Sequence, residues 1–266
     1  LKDFNENIMN RIQQLFNNKS SEILNIYFTA GYPQLNNTAS IILNLEKEGV
    51  DLIEIGMPYS DPLADGPTIQ DSGTAALKNG MNLPLLFEQI TEVRQHTQVP
   101  LILMGYFNQV MQYGQEKFIK KCVDAEVDGV ILPDLPTFEY EIYNKKMFEE
   151  ADLNISFLIT PQTSEARIRK VDELTRGFIY MVSNASITGT KTGISNKQIE
   201  YFERIEKMNL KTPRLIGFGI SDNKTFSTAC KYANGAIIGS AFIRALNKSE
   251  NLADTIHSFV KKIKVG

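Results

Sequence analysis

The chain has 266 residues, 42% of them hydrophobic and 22% charged, a composition that suits one large globular domain spanning residues 1–266. Its 28 basic and 31 acidic residues leave a formal net charge of -3, so no global positive field exists to draw in a nucleic-acid backbone or an anionic membrane. Cys122 and Cys230 lie far apart and form no zinc-like or redox-like spacing, which points to a reduced, cytoplasmic setting. The first residues carry acidic groups and no continuous apolar run, so they read neither as a signal peptide nor as a membrane span.

In chain order, the first element expected is a helix over 3–16, with Phe4, Ile8, Ile12 and Leu15 on one face. Its other face lacks the Lys/Arg enrichment of a membrane-surface anchor, and it is read as a helix closing one end of the domain. Apolar runs follow at 24–29, 52–56, 101–104, 130–132, 155–159, 178–182, 215–218 and 236–238, each succeeded by a turn and a helically spaced segment. Continuous rather than alternating apolarity is the mark of strands covered on both faces, as in a parallel sheet. Eight such units in a chain near the ~250 residues typical of closed barrels predict a single (β/α)8 TIM barrel with an extra N-terminal helix.

Barrel enzymes carry their chemistry at the C-terminal ends of the strands. The second unit is the richest there. Glu54 lies between Ile53 and Ile55, and the turn beyond runs from Gly56 through Asp61 and Asp65 to Thr68. A carboxylate inside an apolar strand is costly unless it is paired or faces a wet cavity, and an apolar setting raises its pKa. That suits an acid/base group working near neutral pH; a core Glu bonded to a buried donor is the alternative. Asp61 and Asp65 lie on a Gly/Pro-rich loop, where a solvent-facing or turn-capping Asp is the commoner explanation.

The sixth unit leads into a long polar stretch from Ser183 to Gly193, readable as a lid or as a solvated connection. The last two units end in Gly217-Phe218-Gly219 and Gly239-Ser240-Ala241. Glycines there let backbone amides at a helix N-terminus approach an anion, and loops after strands seven and eight are a frequent phosphate site in this fold. Asp222 stands where a dinucleotide fingerprint would need its third glycine. His96 and His257 are distant from one another in sequence and form no evident metal pair or nucleophile constellation, so metal-free acid/base chemistry is expected ahead of Mg2+ held by Glu54, Asp61 and Asp65.

The run Glu54-Ile55-Gly56-Met57-Pro58-Tyr59-Ser60-Asp61-Pro62-Leu63-Ala64-Asp65-Gly66-Pro67 resembles the signature of tryptophan synthase alpha subunits. Thr29-Ala30-Gly31-Tyr32-Pro33, Met104-Gly105-Tyr106-Phe107-Asn108, Leu132-Pro133-Asp134-Leu135-Pro136, Thr188-Gly189 and the two glycine turns extend the resemblance over the whole barrel. It implies cleavage of indole-3-glycerol phosphate to indole and glyceraldehyde 3-phosphate. Glu54 would be the main acid/base and Asp65 the carboxylate that bonds the indole nitrogen. Tyr27, Met104 and Phe218 would form the indole slot, with Tyr180 near the substrate and Thr188 on a closing lid. Gly189, Gly219, Gly239 and Ser240 would surround the phosphate. Asn184 and Ser186 depart from the residues common in the family and bear on the lid. The resemblance also implies an α2β2 assembly, docked through 57–68, with no cofactor in this subunit and pyridoxal phosphate in the beta partner. Competing expectations are a sugar-phosphate isomerase or epimerase, an indole-glycerol-phosphate synthase, a glycosidase, and a catalytically silent activator of the beta subunit; the Glu54/Asp65 pair separates the first two from the reading adopted.

Overall fold

The protein is described by a computed structural model covering residues 9–183, 194–217 and 219–265. Nine strand segments occur among them: β1 (Ile23–Thr29), β2 (Leu52–Gly56), β3 (Leu101–Met104), β4 (Gly129–Ile131), β5 (Asn154–Ser156), β6 (Leu158–Ile159), β7 (Ile179–Val182), β8 (Arg214–Gly217) and β9 (Gly235–Ile238). They join in the order β5-β4-β3-β2-β1-β9-β8-β7-β6, and every pairing is parallel.

The run over 155–159, expected as one strand, is divided at Phe157. β5 pairs with β4 and β6 with β7, so the chain changes partner at Phe157, whose carbonyl accepts from the Tyr180 amide at 2.9 Å. β5 and β6 are therefore two halves of the fifth strand, and the eight expected units form a nearly closed TIM barrel with helices outside. The other strands fall within one residue of the expected runs at each end.

Strand periodicity sorts the side chains into two cores. Leu24, Ile26 and Phe28 of β1 pack outward with Ile41, Ile42 and Leu45 of the following helix. Ile23, Leu52, Ile102, Ile131, Phe178, Tyr180, Leu215 and Ile237 form a second, inner cluster that fills the barrel. Ile12, from the helix Arg11–Asn18, belongs to this inner cluster, with Leu15 and Phe16 packed against it. The N-terminal helix thus plugs the barrel floor, as its apolar stripe suggested, but its start is corrected. Asn10 is extended and its side chain accepts from the Ile12 amide at 3.0 Å, capping the helix at Arg11; the last helical residue is Asn18, and Phe4 and Ile8 lie outside the described residues.

A charged network fixes this floor. Asp128, buried at the start of the fourth unit, accepts from Arg94 at 2.9 Å, Arg11 at 3.1 Å and the Leu101 amide at 2.8 Å. Arg94 is also buried and donates to the Val99 carbonyl at 2.8 Å. Removing the carboxylate strands a buried cation, a change that typically costs about 3–5 kcal/mol. Asp128→Ala is expected to lower unfolding stability by that order in a urea titration; a loss under about 1 kcal/mol, the range of exposed pairs, would show that the network contributes little.

Candidate active site

Glu54 occupies the middle of β2, fully buried, paired in register with Tyr27 on β1 and Ile102 on β3. Two residues along from Leu52, it shares that residue's inward face. One carboxyl oxygen, Oε1, accepts from Asn25 Nδ2 at 2.5 Å, while Oε2 is buried without a hydrogen-bond partner among the described residues. Burial pushes the Glu54 pKa up to about 8, against the lowering effect of the Asn25 bond. The sequence reading's alternative, a Glu bonded to a buried donor, holds for one oxygen and fails for the other.

Asp65 reaches the same barrel end from the loop beyond β2. It is half-buried, and its Oδ2 accepts from the Tyr106 hydroxyl at 3.1 Å. That hydroxyl in turn accepts from the Ala64 amide at 2.9 Å. Burial raises the Asp65 pKa, and the Tyr106 bond opposes the rise. Further ties hold the loop: Gln109 donates to the Pro58 carbonyl at 2.9 Å, Asn108 donates to the Tyr59 hydroxyl at 2.6 Å, and the Tyr59 and Tyr106 rings lie 5.1 Å apart. The Gly56–Thr68 loop is therefore braced by the segment after β3, with Tyr106 as the direct link to the carboxylate.

Tyr27 and Tyr180 flank Glu54 from β1 and β7, and burial holds both hydroxyls well above the ordinary tyrosine pKa, so both are neutral phenols. Glycines make room for them. A Cβ at Gly56 would fall 2.1 Å from the Tyr27 hydroxyl, and one at Gly217 would fall 2.3 Å from that of Tyr180. The Tyr27 ring also abuts Gly239, within 3.3 Å of where a Cβ would stand. Tyr27 thus connects the Glu54 strand to the last glycine turn.

Met104, half-buried at the end of β3, packs against the inner cluster. Gly239 caps the helix Ser240–Asn247, and Gly219, at φ 79°, has open space where a Cβ would stand. Their strands, β8 and β9, are neighbours, so the two turns lie side by side. Asp222 is a helix cap that accepts from the Thr225 amide at 2.8 Å. Asn184, Ser186, Thr188, Gly189 and Phe218 lie outside the described residues.

The structure therefore brings Glu54, Asp65, Tyr27, Tyr180, Met104 and the Gly239 turn to one end of the barrel. Sequence reasoning missed two contributors, Asn25 and the role of Tyr106. An amide inside the apolar run 24–29, two residues from Tyr27 and so on its face, was a readable signal for the first; the second depends on a contact across 41 positions. His96 and His257 are exposed, and His257 pairs with Glu48 at 2.9 Å. A hollow of about 500 Å³ between the outer helices Glu165–Leu174 and Asn196–Lys207 is lined by charges of both signs and includes none of the residues around Glu54. No helix among the described residues is long and apolar enough to cross a membrane.

A buried carboxyl with a raised pKa, a second carboxylate on a braced loop and paired glycine turns at the strand ends are features of a TIM-barrel enzyme site that can carry acid/base chemistry. Residues 13–265 match the family model described as tryptophan synthase alpha chain. The chain is 56% identical over 255 residues to the tryptophan synthase alpha chain of Flavobacterium psychrophilum, covering 96% of this chain and 100% of that one. It is 54% identical to that of Christiangramia forsetii, over 96% and 99% of the two chains. Among solved structures, subunit alpha from Legionella pneumophila superposes with a TM-score of 0.86 at 28% identity, over 96% and 97% of the chains. A chain of the tryptophan synthase complex from Pyrococcus furiosus gives 0.84 at 30%, over 92% and 98%. The chain belongs to the tryptophan synthase alpha chain family. Its activity is the carbon–carbon lyase step of the alpha reaction in tryptophan biosynthesis, which releases indole and glyceraldehyde 3-phosphate from indole-3-glycerol phosphate.

Proposed function

We propose that Glu54 and Asp65 divide the work of this cleavage within one catalytic domain. Breaking the bond between indole C3 and the glycerol carbon requires a proton on C3, removal of the proton from the adjacent glycerol hydroxyl, and stabilisation of the positive charge that develops on the ring nitrogen. Glu54, protonated near neutral pH, donates from Oε2 to C3. The resulting carboxylate accepts the hydroxyl proton as the bond breaks and the aldehyde forms, which restores the starting acid. Asp65, held by Tyr106, stays ionised and accepts from the indole N–H. Unequal environments for two carboxyls are what make one an acid and the other an anion at the same pH.

The observation that carries this reading is the unpartnered Oε2 of a fully buried carboxyl whose pKa is pushed up to about 8. Tyr27 and Met104 supply apolar walls suited to a flat indole ring, with Tyr180 facing the substrate; Phe218 is assigned to the same slot by the family resemblance alone. Thr188 is assigned to a lid over Asp65. The amides around Gly219, Gly239 and Ser240, at a helix N-terminus, suit the phosphate, with Gly189 completing that site. Each step uses only the protons that the substrate and Glu54 exchange, so the chemistry assigned to this chain calls for no cofactor. The experiment is indole release from indole-3-glycerol phosphate without added metal: steady release supports the assignment, and none, with or without a partner, would overturn it.

The proposed setting is a cytoplasmic α2β2 heterotetramer, with pyridoxal phosphate on the beta subunit. Large apolar groups are exposed on the segments after β2 and β4: Leu63 is 87% exposed, Phe138 68% and Tyr143 71%. Asp61 lies on the same outer loop, bonded to Ser60 at 2.5 Å. Asp61→Ala is expected to weaken activation by the beta subunit several-fold while leaving substrate binding by the isolated chain near its wild-type value. Equal losses in the two assays would count against docking through this loop.

A further inference from the structure

Asn25 is as deeply buried as Glu54, and neither is exposed to any measurable extent. In register it stands opposite Leu52 on one side and Ile237 on the other, so its amide sits in an apolar layer beneath the tyrosines. Burying an amide there is unfavourable unless its polar atoms find partners. Asn25 finds one, with Nδ2 donating to Glu54 Oε1 at 2.5 Å, and its Oδ1 is among the buried atoms without a hydrogen-bond partner. Among the described residues, the sole hydrogen-bond partner of this costly side chain is thus the proposed acid/base carboxyl.

We propose that Asn25 is a positioning residue for the lyase reaction: its amide fixes Oε1 of Glu54 and reserves Oε2 as the oxygen that exchanges protons with the substrate. The inference rests on the reading of Glu54 as the acid/base. A carboxyl that donates and then accepts within one turnover works fastest when the same oxygen faces the substrate in both steps. An amide N–H2 can only donate, so it leaves Oε1 as an acceptor and places the proton on Oε2. The same bond favours the ionised form and restrains the rise that burial imposes. The titratable groups that face Glu54 among the described residues are Tyr27 on β1 and Tyr180 on β7, with Asp65 beyond them on the loop; β3 presents Ile102. The two tyrosines are neutral across the working range, so Asn25 is the one group on the strands flanking Glu54 whose loss changes its titration without removing a charge.

The test is the pH profile of kcat/KM for indole release by wild type, Asn25→Leu, Asn25→Ser and Glu54→Gln. Leu keeps the branched skeleton of Asn with bulkier methyl groups and cannot donate; Ser keeps a shorter donor and serves as the conservative variant. With folding verified by circular dichroism and thermal melting, Asn25→Leu is expected to lose about 10- to 100-fold in kcat with little change in KM. Its alkaline limb should move upward by about one unit, and Asn25→Ser should fall between the two. A merely structural role would lower stability without moving that limb. A folded Asn25→Leu variant with wild-type kcat and an unmoved limb, beside an inactive Glu54→Gln, would overturn the proposal while leaving the acid/base reading intact. A fully active Glu54→Gln would overturn both. Should Asn25→Leu fail to fold, the Asn25→Ser limb decides: unmoved, it contradicts the proposal.

Discussion

Glu54→Gln is expected to lower kcat for indole release by about 10²- to 10⁴-fold, the range of positioned acid/base groups, with little change in KM. Gln keeps the shape of the side chain and can still meet the Asn25 amide, but it cannot pass a proton to C3. The same variant carries a stability signature of opposite sign. The ordinary carboxyl titrates near 4.5, whereas the folded one holds its proton to about 8. Between those values the native state binds the extra proton, so this group's contribution becomes progressively less favourable as pH rises, and the deficit is complete above about pH 8. Glu54→Gln lacks that slope. Urea unfolding at pH 5 and pH 9 should therefore show the variant gaining on the wild type by an amount on the order of a few kcal/mol at the higher pH. Parallel stabilities at both values would mean the carboxyl ionises normally in the folded chain.

Asp65→Asn is the second large effect. In the proposed mechanism the braced loop holds this carboxylate where a ring N–H gains positive character, and electrostatic stabilisation of developing charge by one fixed group is typically worth about 10²- to 10³-fold in rate. An amide in its place keeps an acceptor but removes the charge, and it competes for the Tyr106 hydroxyl. The expected result is a kcat reduced by about two to three orders of magnitude, with an alkaline limb still set by Glu54. Rates within threefold of wild type would show that the nitrogen needs no anion. A rise in KM alone would make Asp65 a binding group without a part in the bond-breaking step.

Of the proposed catalytic pair, Glu54 was legible from the residues themselves, whereas Asp65, on a Gly/Pro-rich loop, was singled out only by the family resemblance. Glu54 interrupts an apolar strand, and such a cost asks for a reason. The barrel was legible for a related cause: strands covered on both faces must be continuously apolar, and the runs repeat eight times. The fifth strand was less so, because a change of partner at Phe157 depends on how the sheet closes and leaves the residue pattern untouched. The floor network of Arg11, Arg94 and Asp128 was invisible, since its members belong to three separate elements and each reads alone as an ordinary surface charge. Tyr106 belonged to a motif that resemblance picked out, yet its bond to Asp65 arises only when the loops after β2 and β3 fold together. Asn25 was within reach: an amide two residues from Tyr27 shares its inward face, and its significance came from the carboxyl that it meets across the sheet.

The central claim is that Glu54 enters the reaction protonated at neutral pH. Its most direct test is a carbon-13 NMR titration of glutamate carboxyls in the isolated chain, with Glu54→Gln identifying the resonance. The account predicts one carboxyl that titrates near 8 and disappears in the variant; a Glu54 resonance that titrates in the ordinary range near 4.5 would contradict it.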